Sequence, residues 1–171
     1  KMERVRFSYG KSFTLKVDSF SIHEGEGVAV IGGNGSGKTT LAKLIAGLVK
    51  PRRGRVERRR GLKVRMVFQN AEVQLFNSSV FNEVAFQLGR MGMRLEDVKQ
   101  RVEDVLCKMG LGDLAGRHPH SLSQGEKQRV TISSMIADPP DVLILDEPTT
   151  GQDGHHLKML EEAIKRIRRE N

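Results

Sequence analysis

Apolar Phe13, Leu15 and Val17 alternate with Thr14, Lys16 and Asp18, the two-residue period of a half-buried antiparallel strand. "GVAVIG" (27–32) is a short apolar run ending in glycines, the pattern of a buried strand feeding a loop. Residues 39–46 switch to a helical period, with Gly47 as the stop. "KVRMVF" (63–68) and "DVLILD" (141–146) predict two further buried strands. Between them the character changes. Residues 80–88 look helical, and Leu95, Val98, Val102, Val105, Leu106 and Met109 recur at helical spacing. The segment from about 70 to 135 therefore reads as helices inserted between two strands of an α/β core. His118, Pro119 and His120 form a linker into the next helix, and Leu157, Leu160, Ile164 and Ile167 share one face of a final helix. No internal repeat or low-complexity tract interrupts this order.

The 171 residues suit one domain with a sizeable core, and 37% hydrophobic against 29% charged residues reads as soluble and globular. No apolar run approaches the roughly 18 residues of a membrane span, and "KMERVRFSYG" lacks the apolar stretch of a secretory signal. The single Cys107 has no partner for an internal disulfide, so a buried structural thiol in a reducing compartment is expected. The formal charge is +8, with arginines crowded into "KPRRGRVERRRG" (50–61). A solvated surface hairpin with one core-facing residue, Val56, accounts for that cluster; an anionic partner is the alternative. Aromatic residues are only 5% of the chain, too few for a base-stacking platform, so no nucleic-acid partner is expected.

Two patterns bear chemistry. "GGNGSGKT" (32–39) matches G-x-x-x-x-G-K-[ST] between an expected strand and an expected helix. Its glycines let backbone N–H groups wrap phosphates, Lys38 can reach the β- and γ-phosphates, and the Thr39 hydroxyl can ligate Mg²⁺. "VLILDE" then sets Asp146 at a strand end to hold Mg²⁺ through water, with Glu147 next to it as a general base for an attacking water. Further along, Ser123 precedes Glu126 by three residues in "SLSQGEKQRV", which is a capping box and a second anion-binding helix start.

Together these pieces resemble the nucleotide-binding subunits of ATP-binding-cassette (ABC) proteins, over essentially the whole chain. The resemblance implies a P-loop α/β core, a small antiparallel β subdomain and an inserted helical subdomain near 70–135, binding ATP with Mg²⁺ and hydrolysing ATP. Gly33, Asn34, Gly35, Ser36, Gly37, Lys38, Thr39 and Thr40 would bind the nucleotide, and Tyr9 would stack on adenine. Gln69 falls at the glutamine that senses Mg²⁺ and the attacking water, so Thr39, Gln69 and Asp146 form the metal set and Glu147, Gln69 and Lys38 the catalytic one. "LSQGE" (122–126) corresponds to the signature usually written L-S-G-G-Q, whose Ser123, Gly125 and Glu126 would serve the ATP of a second subunit. Asp153 in "TTGQD" would lie at that dimer interface.

"QNAEVQLFNSSVFNEVAFQLGRMGM" (69–93) is similar to the A-component ATPases of energy-coupling-factor (ECF) importers, with Gln74, Leu75, Phe76, Glu83, Val84 and Phe86 matching and Ala71 replacing the usual proline. That likeness implies a pair of like or related ATPases on the cytoplasmic face of the membrane, docked on a membrane T-component beside a substrate-binding S-component. Val73, Leu75 and Phe76 have a plainer use in packing the helical segment. Gln124 and Glu126 depart from the signature, while the serine and second glycine remain, so an active site is expected. The stretch 54–69 is short for the family, and its switch histidine would fall beyond Asn171; His155 and His156 belong to the first turn of the last helix. The chain thus reads as C-terminally incomplete. The alternative is an ABC ATPase not coupled to transport, of the chromosome, DNA-repair or translation kind.

Overall fold

Strands β1 (Met2–Tyr9) and β2 (Phe13–Phe20) pair antiparallel, from Met2 opposite Phe20 to Tyr9 opposite Phe13. The computed structural model describes residues 1–10, 13–149, 154, 157–159, 161, 162, 164 and 165. Strand β3 (Arg53–Val56) lies antiparallel on the other edge of β1, giving the order β2-β1-β3. The expected arginine hairpin is therefore not a hairpin. Its valine explains why: Val56 packs with the Met2, Val5, Phe7 and Leu44 cluster, and only a strand laid on β1 delivers it there.

Helix α1 (Lys38–Ala46) puts Leu44 into the same cluster and stops at Gly47, which is left-handed at φ 78° and donates its N–H to the Leu44 carbonyl. Strands β4 (Val64–Val67) and β5 (Val142–Leu145) run parallel as a two-stranded sheet. A parallel pair needs a long crossover, and here it contains α2 (Val80–Arg90), α3 (Leu95–Lys108) and α4 (Gln124–Ile136). These helices share a core with β4: Val67, Val80, Val84, Leu88, Val102, Leu106, Met109 and Val130 are all buried in one cluster. Each side chain of that size stabilises by about 1.5–3 kcal/mol relative to exposure.

Three expectations are corrected. Residues 27–32 form no strand, and Val28, Val30 and Ile31 are exposed, Ile31 by 93%. A strand is buried by its ladder partners, and no described strand pairs with this segment, so the β4–β5 sheet stays two-stranded. For the same reason β5 is half-buried along its whole length. Cys107 is exposed, because the buried face of α3 runs through Val98, Val102, Val105 and Leu106, and the next residue turns about 100° away.

Candidate active site

The turn at Asn34 and Gly35 is closed by a Ser36 N–H donating to the Gly33 carbonyl at 3.2 Å, and Gly35 sits at φ 76°. Gly37 then caps α1 at φ 101°, with no side-chain bond to the helix start. A Cβ there would lie 3.0 Å from Leu15 Cδ1 and 3.1 Å from Phe13 Cζ, in addition to the left-handed strain, so only glycine brings β2 this close. The α1 start has no acid in its first turn, leaving free N–H groups and the positive end of the helix dipole. Lys38 folds back and donates to the carbonyls of Gly32 (2.9 Å) and Gly33 (3.1 Å).

One long-range hydrogen bond joins this loop to the end of β5, and a second joins the ends of the two parallel strands to each other. Thr39 Oγ1 donates to Asp146 Oδ1 at 3.1 Å, across 107 residues. Gln69 Nε2 donates to Glu147 Oε2 at 2.6 Å, across 78 residues. Asp146 is buried and Glu147 half-buried. Glu147 also sits at φ 50°, left-handed for a residue with a Cβ, which is strain of the kind that persists at working sites. Parallel strands end together, so the residues just past β4 and β5 meet at one rim.

That rim opens on a cavity of about 500 Å³ lined by Tyr9, Phe13, Asn34, Gly35, Gly37, Lys38, Thr39, Thr40, Gln69 and Glu147. Most of the residues expected to touch nucleotide are therefore gathered here. Tyr9 meets Phe7 edge-on at 4.7 Å and lies 6.5 Å from Phe13, yet is 48% exposed, so much of its ring is accessible from the cavity side. Phe13 was not foreseen; in the sequence it is one more apolar residue of an alternating strand, and only the fold shows that it faces the loop. Gly33 and Ser36 shape the turn without lining the cavity, and Asp146 lies behind Thr39.

Ser123, Gly125 and Glu126 are not among the cavity's walls. They form the start of α4, where the capping box is complete. Ser123 Oγ accepts from the Glu126 N–H at 3.4 Å and donates to Glu126 Oε2 at 2.7 Å; the Ser123 N–H donates to the same oxygen at 2.8 Å. The Ser123 hydroxyl and N–H hold the Glu126 carboxyl below the usual carboxylate range. Asp153, His155 and His156 lie outside the described residues.

The ECF-like stretch divides by polarity. Gln74 extends the edge of β4, accepting from the Phe68 N–H at 2.8 Å and donating to the Met66 carbonyl at 2.9 Å. Buried Glu83 accepts from the Phe76 and Asn77 N–H groups at 3.0 and 2.8 Å. Leu75 and Val84 join the core, whereas Val73 and Phe76 are exposed and Phe86 stands edge-on to Phe76 at 4.9 Å. Lys127 of α4 reaches back to Glu72 at 2.5 Å, tying the stretch to the capping-box helix.

A glycine loop before a helix, bonded to one strand-end carboxylate and facing a second across the same cavity, defines a P-loop nucleotide-binding ATPase. The chain belongs to the ABC transporter family, whose model matches residues 15–150, and it is an ABC ATPase domain. It is 38% identical over its whole length to the energy-coupling factor transporter ATP-binding protein EcfA of Enterococcus faecium, of which it spans 66%. A Clostridium acetobutylicum relative, 40% identical over 96% of this chain and 75% of its own, is named no further than an ABC transporter ATP-binding protein. Among solved structures, cbiO1 of Clostridium perfringens, part of the ABC transporter complex cbiONQ, superposes with a TM-score of 0.79 at 32% identity, over 99% of this chain and 73% of that one. The ATP-binding cassette MJ0796, a dimer in a post-hydrolysis state with ADP and Pi, gives 0.87 at 26% identity, over 99% and 82%. No described helix is long and apolar enough to cross a membrane.

Proposed function

We propose that this chain binds and hydrolyses ATP to drive a membrane importer of the energy-coupling-factor type, from the cytoplasmic face of the membrane. The observation that carries the hydrolytic part is the pair of bonds Thr39–Asp146 and Gln69–Glu147, which gather a hydroxyl, an amide and two carboxylates beside one phosphate loop. Lys38 would exchange its two carbonyl partners for the β- and γ-phosphate oxygens, and backbone N–H groups of the loop and the α1 start would cradle them. Tyr9 would stack its accessible ring on the adenine. Glu147 would take a proton from the attacking water, with Gln69 orienting that water, giving ADP and phosphate.

Mg²⁺ fits the donors present. It keeps several waters and takes few protein oxygens, and the Thr39 hydroxyl beside the Asp146 carboxylate offers such a hard, sparse set. Gln69 would complete it. The ion would neutralise phosphate charge.

A second ATPase subunit, a copy or a close relative, would bring its Ser123, Gly125 and Glu126 to the phosphate of this chain's ATP, with Asp153 at the interface. Two facts support this: the α4 start does not reach its own cavity, and MJ0796 is dimeric. Docking on a membrane T-component, itself beside an S-component, is supported by exposed Val73, Phe76 and Phe86 on a backbone fixed by Gln74 and Glu83. The test is co-purification of the full chain from detergent-solubilised membranes. Recovery of a T-component is expected, with loss of it in a Phe76→Asp/Phe86→Asp variant; recovery of ribosomes or DNA-processing subunits instead would overturn the importer reading.

A further inference from the structure

The outer face of the three-stranded sheet carries a feature that ATP hydrolysis does not use. Lys16 of β2, Arg6 of β1 and Arg53 of β3 stand directly opposite one another, a row of three cations across the sheet. Like charges in register repel and are disfavoured on a merely solvated face. Asp18 neutralises Arg6 at 2.7 Å, and Glu3 takes Arg55 at 2.7 Å. Arg4 and Arg53 have no ion-pair partner among the described residues.

The backbone distorts at the same place. Pairing of β1 with β3 slips between Glu3 and Arg6, so Arg4 drops out of the ladder as a bulge at φ 47°. On β3, Gly54 sits at φ 79°, and a Cβ there would fall 2.3 Å from the Arg4 carbonyl oxygen. The two distortions interlock around a recess of about 620 Å³ lined by Glu3, Arg4, Arg6, Arg53, Gly54 and Arg55. Strain held by neighbouring structure, beside uncompensated charge, is the mark of a built site.

We infer that this recess binds a phosphate group, with Arg4 and Arg53 as its principal contacts and Arg6 and Arg55 held at its rim by Asp18 and Glu3. Two planar guanidinium forks without carboxylate partners match the charge and geometry of one phosphate dianion. A recess rather than a flat patch suits a group that inserts.

The test uses the ADP-saturated full chain, so that the phosphate loop is occupied. Pyrophosphate is titrated calorimetrically, and in parallel the protein is sedimented with vesicles of phosphatidylglycerol in phosphatidylcholine. Arg4→Gly removes the charge while suiting the left-handed backbone, so its melting temperature should match or exceed the original. It should weaken binding about tenfold, the loss of a charge-assisted hydrogen-bond pair, and Arg4→Gly/Arg53→Ala should abolish it. Pyrophosphate binding that depends on these two arginines supports the proposal and identifies a soluble ligand; vesicle binding alone with that dependence supports it with a lipid headgroup as the source. No binding in either arm overturns it, as does an equal loss from Arg90→Ala/Arg94→Ala, which removes the same charge from the helical side.

Discussion

Two helices of this chain start in opposite ways. The start of α1 is left open: a left-handed glycine cap, no side-chain bond and no acid in the first turn. The start of α4 is closed by its own side chains, Ser123 and Glu126, in a complete capping box. An open helix start receives an anion without displacing a side-chain cap, and only Lys38 must exchange partners. A capped one does so only after its carboxylate is displaced or outweighed. On the function proposed above the contrast gives them different anions: α1 would hold the chain's own nucleotide, and α4 would stay capped until another subunit presents a phosphate. Glu126, where the family signature has glutamine, sharpens the point, since on that proposal a negative charge stands where the incoming phosphate would settle.

The largest expected effect lies on the α1 side. Glu147→Gln should lower turnover by about 10²–10⁴, the usual worth of a general base, while ATP-dependent pairing of subunits persists; steady-state phosphate release and gel filtration read the two. Unchanged turnover would remove Glu147 from the base role. Ser123→Arg comes next: ATP-driven pairing should vanish, yet monomer affinity for ATP should stay within about twofold, since α4 lies outside the cavity. An equal loss in the monomer would place α4 at its own ATP and erase the contrast. Glu126→Gln should act with two signs, raising ATP-driven pairing several-fold as like-charge repulsion goes, and lowering stability by about 0.5 kcal/mol as an acid leaves the helix start.

The smallest effect is in pH. The Glu126 carboxyl is held below its ordinary value by the Ser123 hydroxyl and N–H. Its contribution to stability is therefore full above the ordinary glutamate value and lost as pH falls through the lowered one. In Glu126→Gln the acid limb of a melting-temperature profile should be correspondingly shallower. Coincident profiles would mean that the cap seen here contributes nothing.

How much of this was legible depended on the range of the interaction. The alternation at Phe13, Leu15 and Val17, the apolar face of α3 and the capping box are local, and each stands where its residue pattern put it. The phosphate loop was readable because glycine spacing and lysine position are themselves the chemistry. What sequence could not supply were partners far along the chain. Nothing local distinguishes "GVAVIG" with a ladder partner from the same run without one, and its valines are exposed here. The third strand was hidden likewise, since Arg53–Val56 joins a strand some fifty residues earlier. Phe13 and the Glu72–Lys127 tie were invisible for the same reason. Thr39 and Asp146 were legible as a Mg²⁺ pair from their motifs, whereas Gln69 beside Glu147 rested on family likeness, and neither hydrogen bond itself was legible.

The division of labour between the two helix starts is tested most directly by complementation. Lys38→Ala and Ser123→Arg chains, each inactive alone, are mixed with ATP, with the unaltered chain active by itself as the reference. In a mixed pair one site combines the intact loop of the Ser123→Arg chain with the intact signature of the Lys38→Ala chain. Recovery of a substantial fraction of ATPase activity is the result predicted here. A mixture as inactive as its parts would mean that Ser123 serves its own chain's nucleotide, contrary to this account.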